Sequence, residues 1–130
     1  MSAAYVDTSF LLAIVFDEPK ARALSKRLRD YERRLAGDLL RAEALSAAKR
    51  EGLPVDAIGP ALAGISVVLP VRSLEPEMGV VLERGHLRGA DLWHLACALY
   101  LAAENAGELT FLSCDGAQRR VARLLGFTTP

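Results

Sequence analysis

The segment AYVDTSFLLAIV, residues 4–15, sets an acid, Asp7, between two apolar runs. Asp115 comes two residues after the apolar run ELTFLS (108–113), and Asp91 opens the most apolar stretch of the chain. Glu43 lies in the first or second turn of a helical pattern beginning at Asp38. Taken singly, each acid has an ordinary structural reading. Asp115, with Gln118 three residues on, has the form of a capping box. Asp91 gains from the dipole of a first helical turn, and Glu43, between Arg41 and Lys49, reads as a solvated side chain. Asp7 fits such a reading least, because Thr8 or Ser9 is available to cap the helix that follows.

Taken together, the acids pose an energetic problem. Two carboxylates about 4 Å apart repel by roughly 4 kcal/mol at an effective dielectric of 20. A cluster of four persists only if a cation or protons neutralise it. An all-oxygen ligand set without His or Cys suits Mg²⁺ or Mn²⁺ rather than zinc. Hard-cation sites of this kind act on phosphate esters, where metal activates water and stabilises the attacking and leaving oxygens.

The elements expected to carry these acids alternate. Short β-type runs occur at 3–6, 34–37, 66–71, 108–113 and 127–129, separated by helical patterns. Ala21, Leu24, Leu28 and Tyr31 fall near a 3.6 period after Pro19. Residues 38–51 read as a helix closed by Gly52, and 54–65 as a weaker helix interrupted at Gly59-Pro60. A helix closing at Gly85 precedes the long pattern of 90–107, apolar almost all round, and a last helix covers 117–126. The order β-α-α-β-α-α-β-α-α-β-α-β predicts an α/β fold, a three-layer α/β/α arrangement with a mostly parallel central sheet. In such sheets ligands sit outside the carboxyl ends of the strands. Asp7 and Asp115 belong to that edge, and Glu43 and Asp91 join them if their helices start there.

Composition narrows the setting. The 130 residues, 52% hydrophobic and 25% charged, predict a single domain over 1–130 with a substantial core. The N-terminus lacks the basic-then-apolar pattern of a signal peptide, and the run from Phe10 to Phe16 is too short to cross a bilayer. Two cysteines, Cys97 and Cys114, make no disulfide framework, so a reduced cytoplasmic location is expected, with no membrane partner. Sixteen basic and sixteen acidic residues cancel, but they are unevenly spread. Residues 20–50 hold ten Lys/Arg against four Asp/Glu, and 51–118 hold three against nine. That permits a phosphate-binding face beside an acidic one.

On these residues the chain resembles the PIN-domain ribonucleases, in particular the VapC-type toxins of bacterial toxin–antitoxin pairs. YVDTSFLLAI is similar to the family's opening strand and Asp-Thr-Ser motif, and LLRAEALSA to the helix bearing its glutamate. LRGADLWHLACAL resembles its buried helix with Asp three residues before His, and LTFLSCDGAQRRVARLLGF its closing strand, acid and helix. The resemblance spans nearly the whole chain. It implies a metal-dependent endoribonuclease with Asp7, Glu43, Asp91 and Asp115 as the catalytic acids and Mg²⁺ (or Mn²⁺) as cofactor. Asp7 and Asp91 are then direct ligands, while Glu43 and Asp115 act through water or complete a second metal. Thr8, Ser9 and Ser113 support the site by hydrogen bonds. It further implies an RNA substrate, a cognate antitoxin protein that blocks the site, and a homodimer, with helices in residues 10–64 available for both protein contacts. One departure is visible: Gly37 stands where relatives often carry Ser at the head of the glutamate helix.

Lys49, Arg88, Arg119 and Arg120 are candidates for RNA phosphate contacts. His94 lies one helical turn from Asp91, within geometric reach, but its apolar neighbours Trp93, Leu95 and Ala96 favour a hydrogen-bonded core residue. Cys114 is expected to be a small buried residue, since no zinc-like spacing accompanies it. A phosphoacceptor receiver domain would need an acid pair near the first strand and a late Lys, yet no Lys follows Lys49. A haloacid-dehalogenase-type phosphatase would need Asp-x-Asp, where position 9 is Ser. The remaining alternative is a PIN-like module that binds RNA or a partner without cutting.

Overall fold

A computed structural model describes residues 2–103 and 105–130. Four strands, β1 (Ala3–Val6), β2 (Arg33–Gly37), β3 (Ser66–Val68) and β4 (Leu109–Leu112), form one sheet in the order β3-β2-β1-β4. Every pairing is parallel. Helices α1 (Thr8–Val15) and α2 (Ala21–Arg29) follow β1, and α3 (Leu39–Arg50) and α4 (Ile58–Leu62) follow β2. Helices α5 (Glu75–Arg84) and α6 (Gly89–Ala102) follow β3, and α7 (Gly116–Leu124) follows β4.

Alternation along the strands explains the layering. Successive strand side chains point to opposite faces, so Tyr5, Leu35 and Phe111 enter one apolar cluster with residues of α5, α6 and α7. Their neighbours Ala4, Val6, Ala36 and Leu112 enter another with Phe10, Leu11 and Leu40 of α1 and α3. Both faces are covered, which makes the three-layer α/β fold. Helix α6 is buried from His94 to Ala98, and burying one Leu or Phe side chain there stabilises by about 2 kcal/mol. Tyr5 and Phe111 stack on adjacent strands with ring centroids 5.6 Å apart.

Several boundaries differ from the sequence reading. The run at 66–71 is a strand only to Val68, ahead of Pro70, which has no N–H for the ladder. The final run at 127–129 forms no strand; it contributes one bridge, Thr110 to Thr128, and the Phe111 N–H donates to the Thr128 carbonyl at 2.8 Å. Gly59-Pro60 does not interrupt the helix. A 3₁₀ turn at Val55–Ala57 runs into α4, and Pro60 sits in that helix's first turn, where its missing N–H would have no partner in any case. Pro19 precedes α2, whose N-cap is Lys20. Helix α6 ends at Ala102 and a 3₁₀ turn occupies Ala106–Glu108, while the expected continuation through position 104 falls outside the described residues. Among the described residues no helix is long and apolar enough to cross a membrane.

Candidate functional site

The strand order places β1 between β2 and β4, so chain connections leave β1 and β4 in opposite directions along the sheet. A crevice opens outside the carboxyl ends of strands at such a switch point. Register makes the juxtaposition specific: Val6 pairs with Leu112, and the Asp7 N–H donates to the Leu112 carbonyl at 2.9 Å. Asp7 and Ser113 thus emerge side by side. A cleft of about 480 Å³ at this edge is lined by Asp7, Thr8 and Ser9, by Glu43 and Arg50 of α3, and by Asp91 and Asp115.

Asp7 is itself the N-cap of α1, contrary to the expectation that Thr8 or Ser9 caps that helix. Helix α1 begins at Thr8, and the Ser9 N–H donates to Asp7 Oδ2 at 3.1 Å. Capping and site occupancy are therefore not alternatives for this residue. The Ser9 hydroxyl also donates to Oδ2, at 2.6 Å, and accepts from the Cys114 N–H at 3.0 Å. The other oxygen, Oδ1, accepts from Gln118 Nε2 at 3.1 Å. Asp7 is 2% exposed, so these donors replace water that the carboxylate has lost.

Gln118 is the residue that the capping-box reading obscures. Asp115 does cap α7, accepting from the Ala117 and Gln118 N–H groups at 2.9 and 3.4 Å. The reciprocal bond is absent, because the Asp115 N–H donates to Ser113 Oγ instead, at 3.0 Å. The fully buried Gln118 side chain turns inward. Its Nε2 donates to Asp7 and to the Asp91 carbonyl, both at 3.1 Å, and its Oε1 accepts from Ser113 Oγ at 2.7 Å. One amide thereby ties the ends of β1 and β4 to α6 and α7. No spacing rule flags such a residue, since its partners come from three other segments.

Glu43 is not a freely solvated side chain. Its Oε1 accepts from Thr8 Oγ1 at 2.8 Å and from His94 Nε2 at 2.5 Å. Thr8 Oγ1 also lies 3.1 Å from His94 Nε2. Since the Thr8 proton goes to Glu43, that contact places a proton on Nε2. His94 Nδ1 then accepts from the Tyr5 hydroxyl at 2.8 Å, and Tyr5 accepts from the Gly37 N–H at 3.0 Å. Burial pushes the Tyr5 phenol well up, which keeps its donor proton in place. His94 is a buried, hydrogen-bonded residue, but its partner is Glu43 rather than Asp91. Burial raises the Glu43 carboxyl, and the hydrogen bonds from His94 and Thr8 outweigh it, holding the group below the usual carboxylate range.

Asp91 behaves oppositely. Half-buried, its carboxyl takes no hydrogen bond from a hydroxyl, amide or basic side chain among the described residues, and Gln118 engages only its main-chain carbonyl. Burial, then the charges of Asp7 and Asp115, a hydrogen bond between its protonated form and Asp115, and the charge of Glu43 push its carboxyl up to about 6. Among the described residues none of Asp7, Asp91 and Asp115 has a basic side chain within 4.0 Å. The four carboxylates line one wall without closing on a point: no three His, Cys, Asp or Glu side chains among the described residues group tightly enough to enclose an ion. Mg²⁺ fits such an open set, because it keeps several waters and takes only one or two carboxylates. Asp7 Oδ1, which accepts a single hydrogen bond and keeps a lone pair, and the oxygens without protein donors on Asp91, Glu43 and Asp115 are of the type it prefers.

The basic candidates divide. Lys49, Arg88 and Arg120 are exposed and line no part of the cleft, where α3 instead contributes Arg50. Arg119 lines an adjoining pocket. Cys114 is exposed rather than buried, because its backbone is held to Ser9 while the loop between β4 and α7 turns its side chain outward. At the end of β2, a Cβ on Gly37 would overlap the Trp93 ring and come within 2.9 Å of the Tyr5 hydroxyl. Helix α3 has no side-chain cap; Asp38 at its start pairs with Arg41 at 3.3 Å.

Comparison with known families matches residues 4–124 to the PIN domain, a span containing all four acids and Gln118. No curated protein matches the chain.

Proposed function

The chain belongs to the PIN-domain family, and from that premise we propose that it is a divalent-metal-dependent endoribonuclease acting as the toxin of a VapC-type toxin–antitoxin pair. The observation that carries the nuclease reading is the lining of one cleft by Asp7, Glu43, Asp91 and Asp115, with Asp91 pushed up to about 6 by burial and by the other three. Asp7 and Asp91 would hold Mg²⁺ or Mn²⁺, and Glu43 and Asp115 would act through water or complete a second site. When bound, the metal lowers the pKa of water and stabilises charge on the phosphate oxygens.

The chain's own side chains do the rest. Gln118 and Ser9 fix Asp7 in one orientation before any ion arrives, so little reorganisation is needed. Thr8 and His94 keep Glu43 ionised and aimed, leaving its Oε2 free to accept a hydrogen bond that orients the attacking water. Water gives up a proton to solvent as its oxygen adds to phosphorus in line, and the bond from phosphorus to the leaving sugar oxygen breaks as that oxygen takes a proton from solvent. Arg50 on the rim, whose Nε pairs with Glu51 at 3.3 Å, has its terminal guanidinium nitrogens left to meet a phosphate.

The toxin role, the antitoxin, the homodimer and the single-domain span of 1–130 rest on the likeness of the four motifs to VapC-type chains. The open grouping of the acids favours a second reading, a PIN-like module that binds RNA or a partner without cutting. Incubating pure protein with total RNA separates the two. Discrete cleavage products with Mn²⁺, abolished by EDTA, are expected; intact RNA under both conditions would leave only the binding module. A small open reading frame beside the gene, whose product binds the protein and stops cleavage, is the expected sign of a toxin.

A further inference from the structure

A second cavity, of about 500 Å³, adjoins the acid cleft and has the opposite character. Its apolar lining includes Phe10, Ala13 and Leu24, and its charged lining is Lys20, Arg27 and Arg119 against one carboxylate, Glu18. Ser113 stands between the two cavities: it lines the second while its Oγ lies 3.4 Å from Asp7 Oδ2 and 3.2 Å from Ser9 Oγ, residues that line the first. Arg119 is fixed by donation from Nη2 to the Pro130 carbonyl at 2.7 Å, yet its Nε is buried without a hydrogen-bond partner among the described residues. A buried donor left unpaired is uncommon and calls for a physical explanation.

We propose that this pocket holds the nucleotide next to the scissile bond of a single-stranded RNA, its base against Phe10, Ala13 and Leu24 and its phosphate on Lys20, Arg27 and Arg119. The assignment rests on the nuclease reading and adds a substrate subsite to it. The alternation of charge is the argument. A phosphodiester entering the acid cleft needs an intervening cation, whereas the next phosphate, carrying the same charge, is met directly by cationic side chains. An apolar floor beneath those cations suits the flat face of a base and is sequence-tolerant. Both features lie in one cavity, set apart from the acids only by Ser113 and Cys114 at the end of β4.

Fluorescence anisotropy of a labelled mixed-sequence RNA octamer, read in EDTA so that no bond is cut, tests the pocket. Lys20 and Arg27 are exposed, so Lys20→Gln with Arg27→Gln should fold, as circular dichroism can verify. Lys26→Gln with Arg29→Gln, also exposed on α2 but outside the pocket, makes the same charge change. The pocket pair should weaken binding about tenfold and flatten the plot of log affinity against log salt by roughly 0.7 per lost phosphate contact. The control pair should change affinity less than about twofold. Equal losses from the two pairs, or no loss from the first, would overturn the subsite. So would an oligoglutamate peptide that binds through Lys20 and Arg27 while RNA binding ignores them. Wild-type binding with the expected variant pattern but no cleavage in Mn²⁺ sinks the nuclease activity and leaves the RNA contact standing. Cleavage and binding both unaffected by the pocket pair sink the subsite alone.

Discussion

Asp7 and Asp91 line the same cleft and are held in contrasting ways. Asp7 takes hydrogen bonds from Ser9 and Gln118 and serves as a helix cap, so its charge stabilises the fold around it. Asp91 has no such donors among the described residues, and its carboxyl is pushed up to about 6. One acid is part of the scaffold; the other is tolerated by it. The contrast teaches that a cluster of like charges need not be strained throughout. Strain can be concentrated on one member, which then has most to gain from a cation or a proton.

The largest expected effects come from deleting each acid in turn. Asp7→Ala and Asp91→Asn should both lower metal-dependent RNA cleavage by a factor on the order of 10³, the scale of losing one electrostatic stabiliser. Their metal-free stabilities should move in opposite directions. Asp7→Ala removes a cap and takes from the buried Gln118 Nε2 one of its two acceptors, leaving only the Asp91 carbonyl, a loss of about 2 kcal/mol. Asp91→Asn removes a repelled charge. A rise of two units would correspond to about 3 kcal/mol, which screening at a half-buried position reduces to about 1 kcal/mol of added stability. Thermal melts in EDTA read both, and a fall in melting temperature for Asp91→Asn would break the contrast.

A smaller effect should follow from Gln118→Met, which keeps volume and removes the amide. Mg²⁺ affinity measured by calorimetry should weaken about 10- to 100-fold, as for other side chains that orient ligands. Unchanged affinity would mean that Asp7 is held well enough by Ser9 alone.

The smallest is a pH effect. Asp91 titrates near 6 when folded and near 4 when unfolded. Between those values the folded chain retains a proton that the unfolded chain has lost. This group's contribution is therefore fully present below about 4 and is lost as pH rises through about 6. Without metal, wild type should gain on Asp91→Asn by about 4 °C in melting temperature between pH 7.5 and pH 5. With Mg²⁺ the dependence reverses, because the ion competes with that proton, and its stabilisation should shrink at pH 5. A wild-type and mutant difference that does not vary with pH would remove Asp91 as the strained member.

The alternating order of strands and helices was legible because the strands are short apolar runs, two of them followed by Asp7 and Asp115, and most helices carry a periodicity or terminal signals of their own. That order and the rule about carboxyl edges put Asp7 and Asp115 together, while Glu43 and Asp91 join them only if their helices start at that edge; all four line the cleft. Three features were not legible, each for a local reason. The Asp7 cap was hidden because Thr8 and Ser9 are themselves good caps, and only backbone geometry decides where a helix starts. Gln118 read as half of a capping box, and nothing in the chain says that its amide prefers Asp7 to the adjacent backbone. The pairing of His94 with Glu43 rather than Asp91 depends on which side of α6 meets α3, a tertiary fact that spacing within one helix does not contain. The last strand failed because a single bridge to Thr110 exhausts what so short a segment can pair.

Gly37 ends β2 against the indole of Trp93, and a methyl-sized group there would collide with both that ring and the Tyr5 hydroxyl. Positions 37 and 93 are consequently a matched set in volume: growth at one requires shrinkage or reorientation at the other. A close homologue carrying serine at the first should have lost the tryptophan at the second, and swapping only one of the two between such chains should fail where swapping both succeeds.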